Sequence, residues 1–340
     1  MKQSINWLLV IAMVLFGFTA CEEEPEDGET ETPETAMALY VLNAIGVSLS
    51  QVDLETGDVY NDVATLGQWP NQVSYNNGKV YAVNSGTNNI MVFDPDNNFA
   101  AETPIALGDG NNPMNMVFYD DNTAYVSCSA SSKVLKIDLS SGTVDMEIDA
   151  GTGCTGITMA NGKIYATNTG FNPDYTYSPG TVTVINGASG AVVTTINVFL
   201  NPQSAAVDPD GNVHVVCTGD YWSTFGKVAI IDPATDTVVD SVITGSTPGS
   251  IAISEVDNMA YLGVWGMGCL SYNWSTSTMV NDTSNYFHGA GGSGVIADND
   301  GNVYLSIWDD DQVLKLDANE TVLATYDVGD SPSSLALRIE

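Results

Sequence analysis

Gly78-Lys-Val-Tyr-Ala-Val-Asn-Ser-Gly-Thr-Asn-Asn-Ile-Met-Val-Phe-Asp-Pro-Asp-Asn-Asn98 contains two apolar, β-branched runs joined by a short polar loop and closed by a turn. The first run, Val80 to Asn84, starts on an aromatic, Tyr81; the second ends at Asp94. Runs of this length bounded by Asn, Gly and Pro predict a pair of antiparallel strands. Edited copies recur along the whole chain. The aromatic returns as Tyr40, Tyr81, Tyr125, Tyr165, His214, Tyr261 and Tyr304, at intervals of 40 to 49 residues. The closing residue returns as Asp53, Asp94, Asp138, Asn186, Asp232, Asn273 and Asp317. A third landmark lies three residues before an apolar run: Pro70, Pro113, Pro202, Pro248 and Pro332, with Cys154 and Gly292 at the same place in two units.

Seven units with a period in the forties, each with several short strands, predict an all-β, seven-bladed propeller of four-stranded antiparallel blades over residues 38–340. Strand A follows the Pro position, and a Gly- or Asn-rich hairpin leads to strand B at the aromatic. Strand C runs to the Asp, and strand D returns to the next Pro. The chain opens on a strand B (Ala38 to Asn43) and ends on an unpartnered strand A (Ser334 to Ile339). Pairing the C-terminal strand with the first blade would close the ring and remove two sheet edges.

Charge narrows the function. The chain carries 42 acids against 8 lysines and arginines, for a net charge of −34. A nucleic-acid partner needs a basic footprint, which is missing here. The two histidines, His214 and His288, fall in different units. No Cys-x-x-Cys, phosphate loop or nucleophile–base spacing occurs, so no cofactor, metal or catalytic group is assigned. Asp309-Asp-Asp311 is acidic, but three consecutive carboxylates cannot all face one ion. Asp208-Pro-Asp-Gly211 and Asp298-Asn-Asp-Gly301 fall where A–B hairpins are expected. His214, at a strand-opening position, is expected to be packed.

Loop lengths point to a face. Alternating strand direction puts the B–C and D–A loops on one rim and the A–B and C–D turns on the other. The A–B intervals are uniform, whereas the B–C intervals carry insertions in units four and five. In repeat proteins, localised insertion marks the binding face. The inserts bring Phe171, Tyr175, Tyr177, Tyr221 and Trp222. Trp265, Trp308 and Asp309 end strand B of units six and seven, and Trp69 and His288 lie in D–A loops. These ten residues are the expected ligand contacts. Aromatics with few charges suit a neutral or cationic ligand with flat faces: a small molecule such as a vitamin, a glycan or a peptide. The other reading of these aromatics is that they brace long loops against each other.

Residues 1–20 have a basic start and the apolar run Trp7 to Phe18, the layout of a secretory signal. Phe18-Thr-Ala-Cys21 resembles a bacterial lipobox, which implies lipid attachment at Cys21 and membrane contact only through that anchor. Residues 21–37 form an acidic stretch expected to be a disordered tether. Of the remaining cysteines, Cys128 and Cys154 both belong to the loop rim. An exported domain permits disulfides, so a Cys128–Cys154 disulfide is the first expectation and Cys217–Cys269 the second.

Tyr-Val-Leu-Asn43, Tyr-Ala-Val-Asn84 and Tyr-Ala-Thr-Asn168 resemble the strand-B signature of the YVTN family of seven-bladed propellers. Other units depart from it, with Cys128, Cys217, Val264 or Ile307 in place of the Asn. Asp53-Leu-Glu-Thr-Gly-Asp-Val-Tyr-Asn-Asp62 is similar to the first blade of Bacteroidetes surface lipoproteins, some of which capture cobalamin for a TonB-dependent transporter. The resemblance implies a non-enzymatic, outer-membrane, surface-exposed propeller that captures a nutrient. A lactonase-type or quinoprotein-like enzyme and an adhesion module are the alternatives.

Overall fold

The computed structural model describes residues 37–339. The expected signal segment, Cys21 and the acidic tether up to residue 36 lie outside the described residues. The domain is a ring of seven antiparallel sheets, as expected, each running from an inner strand A to an outer strand D. Blade one is built from both ends of the domain, in the order Pro332–Arg338, Ala38–Asn43, Ser48–Asp53, Val59–Thr65. The closing pair is antiparallel, with Ala38 opposite Arg338 and Val41 opposite Leu335. In blade two the outer strand is split into two short pieces, Ala100–Ala101 and Ile105–Ala106.

Each landmark has a physical role. The strand-opening aromatic is buried between blades: Tyr40, Tyr125, Tyr165, Tyr261 and Tyr304 are fully buried. A buried phenol needs a partner for its hydroxyl. In blade three Tyr125 donates to the Gly187 carbonyl of the next blade, and in blade four Tyr165 donates to Asp236 of the next (both 2.7 Å). His214 fills the same position in blade five. Its ring nitrogens meet Tyr272 Oη (2.6 Å) and Asp208 Oδ2 (2.9 Å), so this histidine is a packed group.

All seven Asp or Asn residues that end strand C close a C–D turn with the side chain. Asp53, Asp94, Asp138, Asn186, Asp232, Asn273 and Asp317 each accept from a backbone N–H two or three residues on. This is the Asx turn that these residue types favour. Asp208 and Asp298 likewise accept from the N–H groups of Asn212 and Asn302 within A–B hairpins.

The Asn that ends strand B is also explained. Asn84 and Asn168 are buried, and each packs against a glycine of the incoming D–A loop. A Cβ on Gly67 would lie 2.8 Å from Asn84 Cγ, and one on Gly151 would lie 2.7 Å from Asn168 Cγ. The Gly151 N–H donates to Asn168 Oδ1 (3.0 Å). The side chain thus fixes the loop that carries the chain back to the axis.

Neighbouring inner strands are tied to each other. Gln72 both donates to and accepts from the backbone of Met116, and Asn115 donates to the Thr155 carbonyl. Val73 N–H donates to Ser334 Oγ across the closing joint. The final strand also carries Arg338, which is ion-paired with Asp96 and stacked on Tyr75, both of blade two.

A chain ending at Gly329 loses the strand Pro332–Arg338 and exposes Ala38–Asn43, all of whose residues are buried in the intact domain. Uncovering even two or three aliphatic side chains costs about 5 kcal/mol. We expect the thermal midpoint, followed by circular dichroism, to fall by about 10 °C or more. An unchanged midpoint would show that the ring does not depend on this closure.

Candidate functional site

The B–C and D–A loops share one rim, and a repeated backbone pairing holds them there. The residue after strand B donates to the carbonyl just before the Pro position: Ser85 to Trp69, Ser129 to Asn112, Thr169 to Gly153, Thr218 to Asn201. The accepting residue has a left-handed φ, from 51° to 69° in these four blades. Asn, Gly and Ser tolerate that conformation, but a bulky residue does not. Blades three, four, five and one place Asn112, Gly153, Asn201 and Ser331 there. Blade two places Trp69, with φ 52° and 73% of its surface exposed.

The blade-four insert folds as a small hairpin. Phe171 and Tyr177 form a β-bridge, and Ser178 N–H closes onto the Gly170 carbonyl (2.8 Å). Phe171 packs against Tyr177 (5.2 Å between centroids) and Tyr175 (6.1 Å). The blade-five insert turns around Asp220. Its carboxylate accepts from the N–H groups of Trp222, Ser223 and Thr224, at 2.7 to 3.0 Å, and from Ser223 Oγ. These bonds, led by that from Thr224, hold the carboxyl far below the usual range. The turn leaves Trp222 89% exposed. A groove of about 450 Å3 separates the inserts, with Tyr175, Tyr177, Tyr221 and Trp222 on its walls. The structure thus brings together five of the ten expected contacts.

Beside the groove, over blades three to five, lies a cavity of about 510 Å3. Phe171, Pro173 and Tyr177 form its apolar wall; Asn112, Thr169, Asn172, Asn201 and Gln203 supply amides and a hydroxyl. No acid, lysine, arginine or histidine lines it, although the chain carries a net charge of −34. These polar groups were not anticipated from the sequence. The only signal was Asn immediately before Pro in two units, Asn112-Pro113 and Asn201-Pro202.

The other expected contacts stand apart. Trp265 and Trp308 meet edge to face over blades six and seven (6.1 Å, 81°). Asp309 is exposed within a short 3-10 turn that starts at Trp308. Trp69 and His288 line neither void. His288 is half-buried and pairs its backbone with Cys269. Burial holds its imidazole below the usual range, which favours the neutral form.

The expected Cys128–Cys154 disulfide is not formed, and Cys217 and Cys269 are free as well. The two are neighbours, but as free thiols each sulfur rests on a backbone group: Cys128 Sγ on the Val126 carbonyl and Cys154 on the Cys128 backbone. Burial pushes all four thiols up to about 12, as inert core cysteines require.

No protein-family profile matches the chain. Over 61 residues it is 36% identical to the PE-PGRS family protein PE_PGRS18 of Mycobacterium tuberculosis, a match that covers 18% of this chain and 12% of that protein. Among the solved structures similar in fold are the following two. The Kuenenia stuttgartiensis hydrazine synthase superposes with a TM-score of 0.67 at 15% identity, over 78% of this chain and 89% of that one. A quinoprotein alcohol dehydrogenase-like protein from Bacteroides thetaiotaomicron superposes with 0.63 at 18% identity, over 88% and 77%. These similarities establish the propeller architecture.

At Trp69, Asn relieves a left-handed φ that costs a bulky residue about 1 kcal/mol. We expect Trp69→Asn to raise the thermal midpoint by about 2 °C in a calorimetric scan. A lowered midpoint would show that the Trp69 side chain stabilises the domain.

Proposed function

We propose that this chain captures an uncharged, hydroxyl-rich ligand at its loop rim, without chemistry, and that a neutral glycan is the class that fits best. The carrying observation is the cavity over blades three to five, which has aromatic faces, amides and hydroxyls but no ionisable group other than Tyr177. A sugar ring offers an apolar face for Phe171 and Tyr177 and hydroxyls for Asn112, Asn172 and Asn201. A charged ligand would bury its charge there without a partner, at a cost of several kcal/mol. Peptides and vitamins with charged groups fit less well for that reason.

The absence of an acid or base from the cavity wall supports capture over turnover, because general acid–base catalysis needs such a group within hydrogen-bond reach. The lipobox-like Phe18-Thr-Ala-Cys21 favours a lipoprotein of the outer membrane, exposed at the surface and handing its ligand to a TonB-dependent transporter. The second reading is a quinoprotein-like enzyme. It rests on the name of one structural neighbour, the quinoprotein alcohol dehydrogenase-like protein.

The test is a calorimetric titration of neutral gluco-, xylo-, manno- and galacto-oligosaccharides. We expect Phe171→Ala and Trp222→Ala each to weaken the best ligand about tenfold or more, as for exposed aromatic anchors, with little change in thermal midpoint. Trp222 makes no aromatic contact that the fold depends on and is 89% exposed. Unaltered binding in both variants would place the site elsewhere.

A further inference from the structure

The axis of the propeller is hollow. A void of about 360 Å3 runs between the seven inner strands. It shares Met114, Thr155 and Gln203 with the rim cavity, so the two spaces adjoin along these residues. The shared residues occupy one position in the repeat, directly after the Pro landmark.

A β-bulge sets the direction of that residue. Pro70 pairs with Asn84 and Gln72 with Val83, which leaves Asn71 outside the ladder. Gln203 is skipped in the same way between Pro202 and Ser204, and Ser333 between Pro332 and Ser334. Such bulges re-aim a side chain out of the sheet. Here the residue lines the axial void.

The resulting ring is uneven. Blades two to five contribute Asn71, Met114, Thr155 and Gln203; blades six, seven and one contribute Gly249, Ser293 and Ser333. Gly249 leaves its side open, since a Cβ built there meets nothing within 4 Å. The mouth is therefore wide toward blades six to one and bounded by longer side chains where it adjoins the rim cavity.

Below the mouth the walls remain neutral. Gln72, Asn115, Ser204, Ser250 and Ser334 line the void, and no charged side chain does. Several of these groups are already engaged between strands, as Gln72 is with Met116 and Asn115 with Thr155, so the wall is held in place before any ligand arrives. A void one strand-ring wide admits the end of a chain and excludes a branched or folded body. A peptide end would bring an ammonium or a carboxylate into a space that has no countercharge, whereas an oligosaccharide end brings only hydroxyls.

We infer that the axial channel is a terminal subsite, in which the last unit of a neutral oligosaccharide enters past Gly249 while the preceding units lie against Phe171 and Tyr177. The inference rests on glycan capture at the rim and adds that the protein binds chain ends. Three variants test it by calorimetry with the neutral oligosaccharide panel: Gly249→Leu and Ser333→Leu, which fill the wide side of the mouth from blades six and one, and Gly249→Ala as the control. The two leucine variants are expected to weaken binding about tenfold or more, and the control to stay within about twofold, at matched thermal midpoints. If either folded leucine variant binds as the parent does while Phe171→Ala is weakened, the channel inference falls and the rim reading stands. If the parent binds no member of the panel, both fall.

Discussion

The pairing of Ala38–Asn43 with Pro332–Arg338 is the constraint on which the rest depends. A propeller blade cannot bury both faces alone; each needs a neighbour on either side, so an open ring would leave two blades half-covered and two edges unpaired. Closure is secured in several ways at one joint. The ladder supplies backbone bonds, Val73 donates to Ser334, and Arg338 reaches Asp96 in blade two. Because the joint holds the inner strands at a fixed spacing, it also sets the width of the axial void and the position of every rim loop.

On that scaffold, the acidity of the chain and the neutrality of the rim cavity make an informative contrast. Acids are turned to local use in the Asx turns that end strand C. The cavity between blades three and five is lined by amides, hydroxyls and aromatic faces. Long-range electrostatics would repel anions, and the cavity would not stabilise a buried cation. An uncharged ligand with apolar faces satisfies both conditions. Tyr175 and Tyr221 add to this picture, since each holds a left-handed φ (66° and 67°) in a loop that presents aromatic surface. Conformations of that cost persist where the surroundings over-determine them, and they cluster at functional sites.

Much of the fold was legible in the sequence because a repeat states each physical requirement seven times. Tyr125 and Tyr165 open a strand because a buried ring with a bonded hydroxyl seals the gap between blades, and Asp138 and Asp317 end one because a carboxylate closes the turn. The loop rim was legible for the same reason, since insertions in units four and five break an otherwise uniform count. The site was only partly legible. Membership of a rim is periodic, but proximity on it depends on position around the ring. Trp69 and Trp308 therefore share a face with Phe171 without sharing its cavity. Asn112, Asn201 and Gln203 come from two different blades and form one wall only after the ring closes, so single polar residues gave little signal. Cys128 and Cys154 are neighbours, as the disulfide expectation needs, yet they are buried free thiols whose sulfurs rest on backbone groups.

The proposed capture at this rim would use a pre-formed surface. The inserts are held by Asp220 and by the Phe171–Tyr177 bridge, which would present aromatic faces already in place to the proposed ligand. The most direct measurement is a crystal structure of the chain with its best-binding neutral oligosaccharide. Capture at the rim predicts electron density for a sugar ring stacked on Phe171 and Tyr177, with hydroxyls on Asn112 or Asn201. Density confined to the opposite rim or to the outer strands would contradict it.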